Sequence, residues 1–145
     1  MDTAYDIRKS RANDVPAMAA LLTELGYPTS PEQLTARLAN FANVDGATLV
    51  CEHGGEVVGL IGLTRHPFYE LDGFGTEVSV LVVTAARRGR GIGRALLDAA
   101  EAWAGERGSG LVWLASSQRR QDAHRFYERA EYRTTGLRYT KAIIP

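Results

Sequence analysis

A run of arginines and glycines, Arg88-Gly89-Arg90-Gly91-Ile92-Gly93, lies between an apolar stretch and a segment with helical spacing. The first N–H groups of a helix have no partner inside the helix and carry a partial positive charge, so they attract anions. Glycine has no Cβ, which lets an anion reach several amides, and neighbouring arginines add charge-assisted hydrogen bonds. The segment therefore predicts a phosphate-binding turn; a turn with a solvated basic face is the alternative.

Two common phosphate motifs do not account for this segment. A P-loop ends in Gly-Lys-Ser or Gly-Lys-Thr, whereas Ile92-Gly93-Arg94 has neither the lysine nor the hydroxyl. A dinucleotide fingerprint opens its domain and has an acidic residue at the end of the following strand. Here the third glycine comes one residue early, the motif lies far along the chain, and the next strand ends in Leu-Ala-Ser-Ser.

The hydrophobic periods on either side of this turn predict the elements that position it. Apolar residues at helical spacing indicate a helix that follows Asn13 and stops at Gly26, and Ser30 caps a second helix. Strand-like runs come next, with Gly54-Gly55 as a hairpin turn. The whole pattern predicts the order β-α-α-β-β-β-α-β-α-β, and its last strand covers residues 132–143. A strand–helix–strand crossover beside hairpins gives an α/β domain with a mixed sheet.

Composition and charge narrow the classes of protein that fit. A chain of 145 residues, 45% of them apolar, predicts one domain over residues 1–145 with a single core. Seventeen basic residues balance seventeen acidic ones, so we expect no attraction to nucleic acid or to a membrane surface. The only cysteine, Cys51, lies in an apolar run, which predicts a buried residue and no internal disulfide. No stretch resembles a signal peptide or approaches the roughly 18 apolar residues of a membrane span, so we expect a cytoplasmic protein.

Four features together resemble the GNAT superfamily of acyl-CoA-dependent N-acetyltransferases. The segment Leu-Val-Val-Thr-Ala-Ala-Arg-Arg-Gly-Arg-Gly-Ile-Gly-Arg-Ala-Leu-Leu is similar to its pyrophosphate-binding segment, with Arg88, Gly91 and Gly93 at the defining positions. Asp-Ala-His-Arg-Phe-Tyr-Glu-Arg-Ala-Glu-Tyr resembles the family's later motif. Glu77 also stands at the start of the preceding strand, where many members keep a carboxylate. The predicted order of elements is similar to the GNAT fold over nearly the whole chain.

The resemblance implies a fold, a reaction and a cosubstrate. The fold is α/β (α+β), a central mixed, mostly antiparallel sheet with a splayed pair of strands and about four flanking helices. The reaction is transfer of an acetyl group from acetyl-CoA to a primary amine of a small molecule or protein, by direct attack in a ternary complex. Backbone groups on the strand before the turn would hold the pantetheine arm, and the amides of the turn would hold the phosphates. These cofactor-binding residues are Leu81, Val82 and Val83, with the Leu81 N–H facing the thioester oxygen, and then Arg88, Gly89, Arg90, Gly91, Ile92, Gly93 and Arg94.

Two residues are candidates for the proton transfers that the reaction needs. Glu77 is the candidate general base, directly or through water, because a carboxylate partly removed from water is a better base. An exposed acid at a strand end is the alternative. Tyr127 is the candidate acid for the departing thiolate. Its helical position beside Ala123 and Phe126 leaves a packed core tyrosine as the alternative.

An aromatic group of residues is the candidate acceptor pocket. The resemblance places two segments beside the acceptor: the first helix–helix connection and the loop before the strand that starts at Glu77. The aromatic residues of these segments would contact the acceptor by apolar packing and cation–π attraction; they are Tyr27, Phe68, Tyr69 and Phe74. They could equally form a dimer contact or the edge of the core. Acidic residues nearby, Glu70, Asp72 and Glu77, would suit a cationic amine. The three histidines share no ligand spacing, so we expect no metal.

Two departures from the family pattern leave other functions open. Arg120 occupies a position where asparagine is common, and Glu131-Tyr132 replaces Gly-Phe. The first change questions a contact to pantetheine, and the second alters the end of the last helix. A catalytically weak acyl-CoA-binding regulatory module is therefore an alternative to the enzyme. A second alternative is an interaction protein that binds no CoA and uses the basic clusters and the loop with Phe68, Tyr69 and Phe74. The resemblance also implies a homodimer, because many family members pair.

Overall fold

The computed structural model, which describes residues 4–115 and 121–143, contains a mixed five-stranded sheet and four α-helices. Contacts divide the chain into two compact units, Met1–Leu114 and Ala115–Pro145, and the prediction of one domain over residues 1–145 stays a prediction. The elements in chain order are β1 (Asp6–Lys9), α1 (Val15–Leu25), α2 (Pro31–Ala39), β2 (Gly46–His53), β3 (Glu56–Pro67), β4 (Phe74–Val83), α3 (Ile92–Glu106), β5 (Ser109–Leu114) and α4 (Gln121–Arg129).

The first two helices begin and end where local side-chain chemistry requires. The Ser30 hydroxyl accepts a hydrogen bond from the Gln33 amide at 3.1 Å, and the Gln33 side chain accepts one from the Ser30 amide at 2.9 Å, so the predicted capping box of α2 is confirmed. Gly26 ends α1 with φ of 117°, a left-handed conformation that favours glycine. Asp14, rather than Asn13, immediately precedes α1, because a one-turn 3₁₀ helix occupies Ala12–Asp14.

The strands follow one another across the sheet in the order β1-β2-β3-β4-β5. The first four pair antiparallel, and β5 pairs parallel to β4 after the α3 crossover. The pairing of β4 with β5 ends at Val78 and Leu114, so residues 79–83 continue without a partner strand on that side among the described residues. This confirms the predicted mixed, mostly antiparallel sheet and its splayed strands.

A bulge at Ser79 changes which way the side chains of β4 face. Val78 lies opposite Leu63, whereas Val80 lies opposite Gly62, so Ser79 is the extra residue on β4. Beyond it, Val80 and Val82 pack into the core formed with α1 and α2. Without the bulge, strand alternation would have turned Glu77 and Val80 to opposite faces.

The two faces of the sheet carry different helices. Met18 and Leu21 of α1 pack with Leu60 and Val82 on one face. On the other face, a Cβ at Gly59 would lie 3.0 Å from Leu96 and 3.4 Å from Ile92, so glycine lets α3 approach the sheet closely. Cys51 is fully buried in β2, as predicted, and burial raises the pKa of its thiol.

The predicted last strand is wrong. Residues 132–143 have no regular secondary structure, and Leu137, Tyr139 and Ile143 are exposed. A strand needs a hydrogen-bonded neighbour and one buried face, and these side chains bury no such face. No helix in the described part of the chain is long and apolar enough to cross a bilayer.

Candidate active site

The arginine–glycine segment forms an open turn that leads into α3. A one-turn 3₁₀ helix, Ala85–Arg87, follows β4, and then Gly89 and Gly91 adopt φ of 76° and 85°. The first helical bond joins the Ala95 amide to the Gly91 carbonyl at 3.0 Å. Within the described residues, the N–H groups of residues 89–93 donate to no protein group. A Cβ at Gly89 or Gly91 would meet nothing within 4 Å, so the space beside these amides is open.

Not every predicted member of this turn offers a group to a ligand. The Arg88 amide donates to the Ala85 carbonyl at 3.3 Å, and the Arg88 guanidinium donates to the Val83 carbonyl at 3.2 Å. Arg94 donates to Asp98 at 3.0 Å along the surface of α3. The guanidinium of Arg87 contacts His53 and Glu56 instead. Arg90 is exposed and has no protein partner among the described residues, so its charge is available to an anion.

Glu24, on α1, accepts hydrogen bonds from the residues that begin the turn. Its carboxylate accepts hydrogen bonds from the Ala85 amide at 3.0 Å and the Thr84 hydroxyl at 2.9 Å. The Ala85 N–H, followed by the Thr84 hydroxyl, holds the pKa of Glu24 below its ordinary value. No sequence motif indicates this contact, because α1 and the turn are distant in the chain.

The second half of β4 presents backbone groups on its unpaired side. The Thr84 amide donates a hydrogen bond to the Val58 carbonyl at 2.9 Å. Since hydrogen-bonded and non-hydrogen-bonded pairs alternate in an antiparallel ladder, Val82 bonds to β3, while Leu81 and Val83 direct their N–H and C=O groups away from it. Leu81 and Val83 therefore have the predicted orientation. Val82 does not, because β3 already takes its backbone groups, and the Val83 carbonyl is taken by Arg88.

Glu77 lies beside a histidine that sequence reasoning did not select. The Nε2 atom of His66 on β3 is 3.2 Å from the Oε1 atom of Glu77, and both side chains are partly exposed. The register explains the contact: Thr64 lies opposite Glu77, and His66 is two residues further along the same face of β3. Strand alternation places His66 on that face, but the register itself depends on the loop between the strands.

An aromatic wall surrounds this pair. The Trp113 ring on β5 lies 5.4 Å from the His66 ring and 5.5 Å from the Phe68 ring. Gly75 makes room for it, since a Cβ there would come within 2.5 Å of Phe68 and 2.7 Å of Trp113. Trp113 is also opposite Glu77 in the parallel pairing of β4 with β5. The structure thus adds His66 and Trp113 to the predicted residues Glu77 and Phe68.

The other predicted aromatic residues are not part of this wall. Phe74 is three residues before Glu77 and lies on the opposite face, where its ring packs 3.6 Å from the Arg65 guanidinium. Arg65 in turn donates to the Arg107 carbonyl at the end of α3, so Phe74 belongs to the α3 side. Tyr69 and Tyr27 are both exposed, in the loop after β3 and after the end of α1.

Tyr127 lies in the second unit, on α4. Its half-buried ring packs between those of Phe126, at 5.2 Å, and Tyr132, at 6.1 Å. Its role as the acid stays a prediction. Residues 116–120 lie outside the described residues, and they include Arg120, the departure from the family pattern, and the two serines Ser116 and Ser117. Among residues 4–115 and 121–143, no group of three or more histidine, cysteine and acidic residues could hold a metal ion.

Comparisons with known proteins find similar sequences and a similar fold. Residues 15–132 match the acetyltransferase (GNAT) family. The aminoalkylphosphonate N-acetyltransferase of Salmonella typhimurium is 33% identical over 143 residues, which cover 95% of this chain and 91% of that protein. The aminoglycoside N(6')-acetyltransferase type 1 of Stenotrophomonas maltophilia is 31% identical over 150 residues, 98% of this chain and 92% of that protein. An aminoglycoside N-acetyltransferase solved in complex with CoA has the same fold, with a TM-score of 0.85 at 15% identity over 99% of this chain and 97% of that one.

Proposed function

Because the chain belongs to the GNAT family of acetyltransferases, and is thus an acetyl-CoA-dependent acyltransferase, we propose that it transfers the acetyl group to a primary amine by direct attack within a ternary complex. The family that the sequence motifs predicted is confirmed. The acceptor, its pocket and the roles of individual residues are proposed.

One observation carries the proposal: a row of backbone amides, residues 89–93, has no protein partner among the described residues and lies at the amino terminus of α3. Such a row, with a partial positive charge behind it, is suited to a diphosphate. Arg90 adds a charged donor that no protein group uses among the described residues. We assign the diphosphate of acetyl-CoA to this turn, with the Arg88 side chain supporting the turn rather than the ligand.

The unpaired side of β4 is the proposed binding site of the pantetheine arm. The N–H and C=O groups of Leu81 and the N–H of Val83 face away from β3. An extended arm with amide groups can bond to them as an additional strand would. The Leu81 N–H would then polarise the thioester carbonyl, and holding the two reactants in place can contribute about 7–11 kcal/mol to lowering the barrier.

The acceptor amine is proposed to bind beside Glu77 and the aromatic wall of Phe68 and Trp113. A free alkylammonium has a pKa of about 10, so it arrives charged and must lose a proton at this site before it can attack. Aromatic faces and a carboxylate attract a cation. Two relatives are named for amine acceptors, an aminoalkylphosphonate and an aminoglycoside, which supports a small-molecule amine as the substrate. We propose the cytoplasm as the place of this reaction.

The test is a thiol-release assay with acetyl-CoA and a panel of amines, run beside thermal unfolding with and without CoA. We expect turnover with cationic amines, and a free energy of unfolding raised by about 2.7 kcal/mol at a CoA concentration 100 times its Kd. Stabilisation by CoA with no turnover on any amine would favour the regulatory module. No stabilisation at all would contradict the proposal.

A matched pair of glycine variants separates loss of binding from loss of stability. Gly91 and Gly55 have φ of 85° and 80°, and a Cβ at either meets nothing within 4 Å. Alanine at each position should therefore cost a similar amount, about 1–2 kcal/mol. We expect only Gly91→Ala to weaken CoA binding, by tenfold or more in Kd as an order of magnitude, since a Cβ there fills the space beside the amides. Equal CoA affinity in the two variants would contradict the proposed cradle.

A further inference from the structure

We propose that His66 is the residue that accepts the proton of the acceptor amine, and that Glu77 is a positioning residue that orients the His66 ring. The inference rests on the proposed function and refines it, since it moves the proton acceptor from the carboxylate to the imidazole. The two side chains are joined by the contact of 3.2 Å between His66 Nε2 and Glu77 Oε1.

The hydrogen bond fixes which nitrogen of His66 can act as a base. An ionised carboxylate has no hydrogen to donate, so the shared proton must lie on Nε2. The neutral ring then carries its lone pair on Nδ1. Within the described residues, Nδ1 of His66 has no hydrogen-bond partner. Since 41% of the side chain is exposed, a ligand can reach this atom.

The surroundings hold the ring in this orientation. Trp113 packs against one side of His66 at 5.4 Å, and Phe68 in turn packs against Trp113. Gly75, which lies opposite His66 on β4, leaves the space that these rings fill. An imidazole whose one nitrogen bonds to a carboxylate and whose ring is packed needs little reorganisation to take a proton at the other nitrogen.

Charges around His66 leave Glu77 as its titratable partner. Arg65, its neighbour on β3, lies on the opposite face of the sheet and pairs with Asp45 at 2.9 Å. The β5 residue that packs on His66 is Trp113, which does not titrate. Glu70 and Asp72, in the loop between β3 and β4, make no ion pair with His66. The His66–Glu77 pair is therefore a unit whose protonation depends on its own two members and the ligand.

The chemistry also favours the imidazole as the acceptor. Imidazoles titrate near pH 6.5 and carboxyl groups near pH 4.3, and a general base works best when it titrates close to the working pH. One proton of the acceptor ammonium moves to Nδ1 of His66. The lone pair of the amine nitrogen then attacks the thioester carbonyl carbon. The C–N bond forms as the C–S bond breaks, and the second N–H proton leaves to the thiolate or to water. The imidazolium afterwards returns its proton to solvent.

The pH dependence of kcat/KM in three variants tests the assignment. We expect the wild type to lose activity on the acid side, because a protonated imidazole cannot accept the proton of the amine. His66→Asn should remove that limb and lower kcat by about 10²- to 10⁴-fold. Glu77→Gln should keep an imidazole-type limb with a smaller loss of kcat, because the amide oxygen still accepts from Nε2. His53→Asn is the matched control and should keep the wild-type limb.

A second measurement reads the pair without turnover. Nitrogen NMR of ring-labelled protein, at a pH where the spectra show a neutral ring, should show His66 with the proton on Nε2. Glu77→Gln should leave this tautomer in place, while Glu77→Ala releases it. A proton on Nδ1 in the wild type would overturn the inference. So would a His66→Asn variant that keeps the wild-type limb and kcat, or a Glu77→Gln variant that alone loses the limb. If the wild-type protein acetylates no amine, the proposed function fails and this inference fails with it; the other outcomes leave the proposed function intact.

Discussion

Tyr127 is the residue whose predicted role depends most on its hydroxyl group. Its ring is packed by Phe126 and Tyr132, so the ring itself has a structural role whatever the hydroxyl does. A thiolate leaving group resembles cysteine, which titrates near pH 8.5, and it benefits from a proton donor. Removing only the hydroxyl therefore separates the acid from the packed core residue.

We expect Tyr127→Phe to lower kcat by about 10²-fold while the free energy of unfolding changes little, because the aromatic packing is kept. Steady-state kinetics and urea unfolding measure the two effects. Tyr132→Phe is the matched control, since it removes a hydroxyl from the same aromatic group and should leave kcat unchanged. Normal turnover with a loss of stability in Tyr127→Phe would assign the residue to packing alone.

A buried acid far from the proposed site provides a stability test at the same scale. Asp14, with 7% of its side chain exposed, accepts from the Arg8 guanidinium at 2.8 and 3.0 Å and from the Arg11 amide at 2.7 Å. The Arg8 hydrogen bond lowers the pKa of Asp14, and this outweighs the opposing effect of burial. The cluster ties β1 to the start of α1, and Arg8 also pairs with Glu52 on β2.

We expect Asp14→Asn to lower the free energy of unfolding by about 2 kcal/mol at pH 7. Because the folded-state pKa is depressed, the stabilisation is fully present above the unfolded value of about 3.9 and disappears as pH falls through the lower folded value. The difference between the two proteins should thus be constant from pH 7 to about pH 5 and shrink below about pH 4 in urea unfolding. The control is Asp98→Asn, which removes an exposed ion pair with Arg94 and should change the free energy of unfolding by no more than about 0.5 kcal/mol. If the free energy difference between Asp14→Asn and the wild type did not depend on pH, the proposed link to the pKa of Asp14 would be contradicted.

At the scale of elements, α4 ends in a turn that is built for glycine but occupied by glutamate. The Tyr132 amide donates to the Tyr127 carbonyl at 2.9 Å, and the Glu131 amide donates to the Glu128 carbonyl at 3.0 Å. These two bonds define a Schellman motif, with the Tyr127 and Tyr132 rings in contact. Glu131 must adopt φ of 70°, the only non-glycine residue in the left-handed region in the described part of the chain.

Glu131→Gly should raise the free energy of unfolding by about 0.5–1 kcal/mol. Relief of the left-handed strain is worth about 1–2 kcal/mol, and the added freedom of glycine in the unfolded chain offsets about half of it. Urea unfolding followed by circular dichroism measures the change. Glu128→Gly, inside the helix, is the control and should destabilise by about 1 kcal/mol. A destabilised Glu131→Gly variant would show that the strain is absent.

Local patterns predicted the elements that rest on local chemistry. Ser30 and Gln33 define a cap, Gly26 ends a helix, and the glycines before Ile92 open a turn, each from neighbouring residues. The His66–Glu77 contact was missed because it depends on the register between β3 and β4, which the loop between these strands sets. Phe74 was grouped with Phe68 because the strand was predicted to start at Glu77; β4 starts at Phe74, and strand alternation places Phe74 on the other face. The strand predicted over residues 132–143 had the right residue types but no buried face.

At the scale of the whole molecule, we predict that the two compact units unfold together. Ala115–Pro145 is shorter than the roughly 40 residues below which a chain rarely folds without disulfides, metals or association. The single cysteine, Cys51, lies in the other unit, so no disulfide can stabilise it. The second unit therefore has too little core to be stable alone, and its α4 helix should form only as part of one cooperative domain.

We expect a single unfolding transition, with the same midpoint by every probe. Trp103 and Trp113 are the two tryptophans, so their fluorescence reports the first unit, whereas hydrogen exchange of the α4 amides reports the second. In one cooperative domain the most protected α4 amides exchange with a free energy close to that of global unfolding, and CoA raises both values by the same amount. A variant with Leu97→Ala in the α3 core provides the control, because a loss of about 3 kcal/mol in the first unit should appear equally in α4. Protection in α4 that is lost well below the fluorescence midpoint, or that ignores both CoA and Leu97→Ala, would contradict a single domain over residues 1–145.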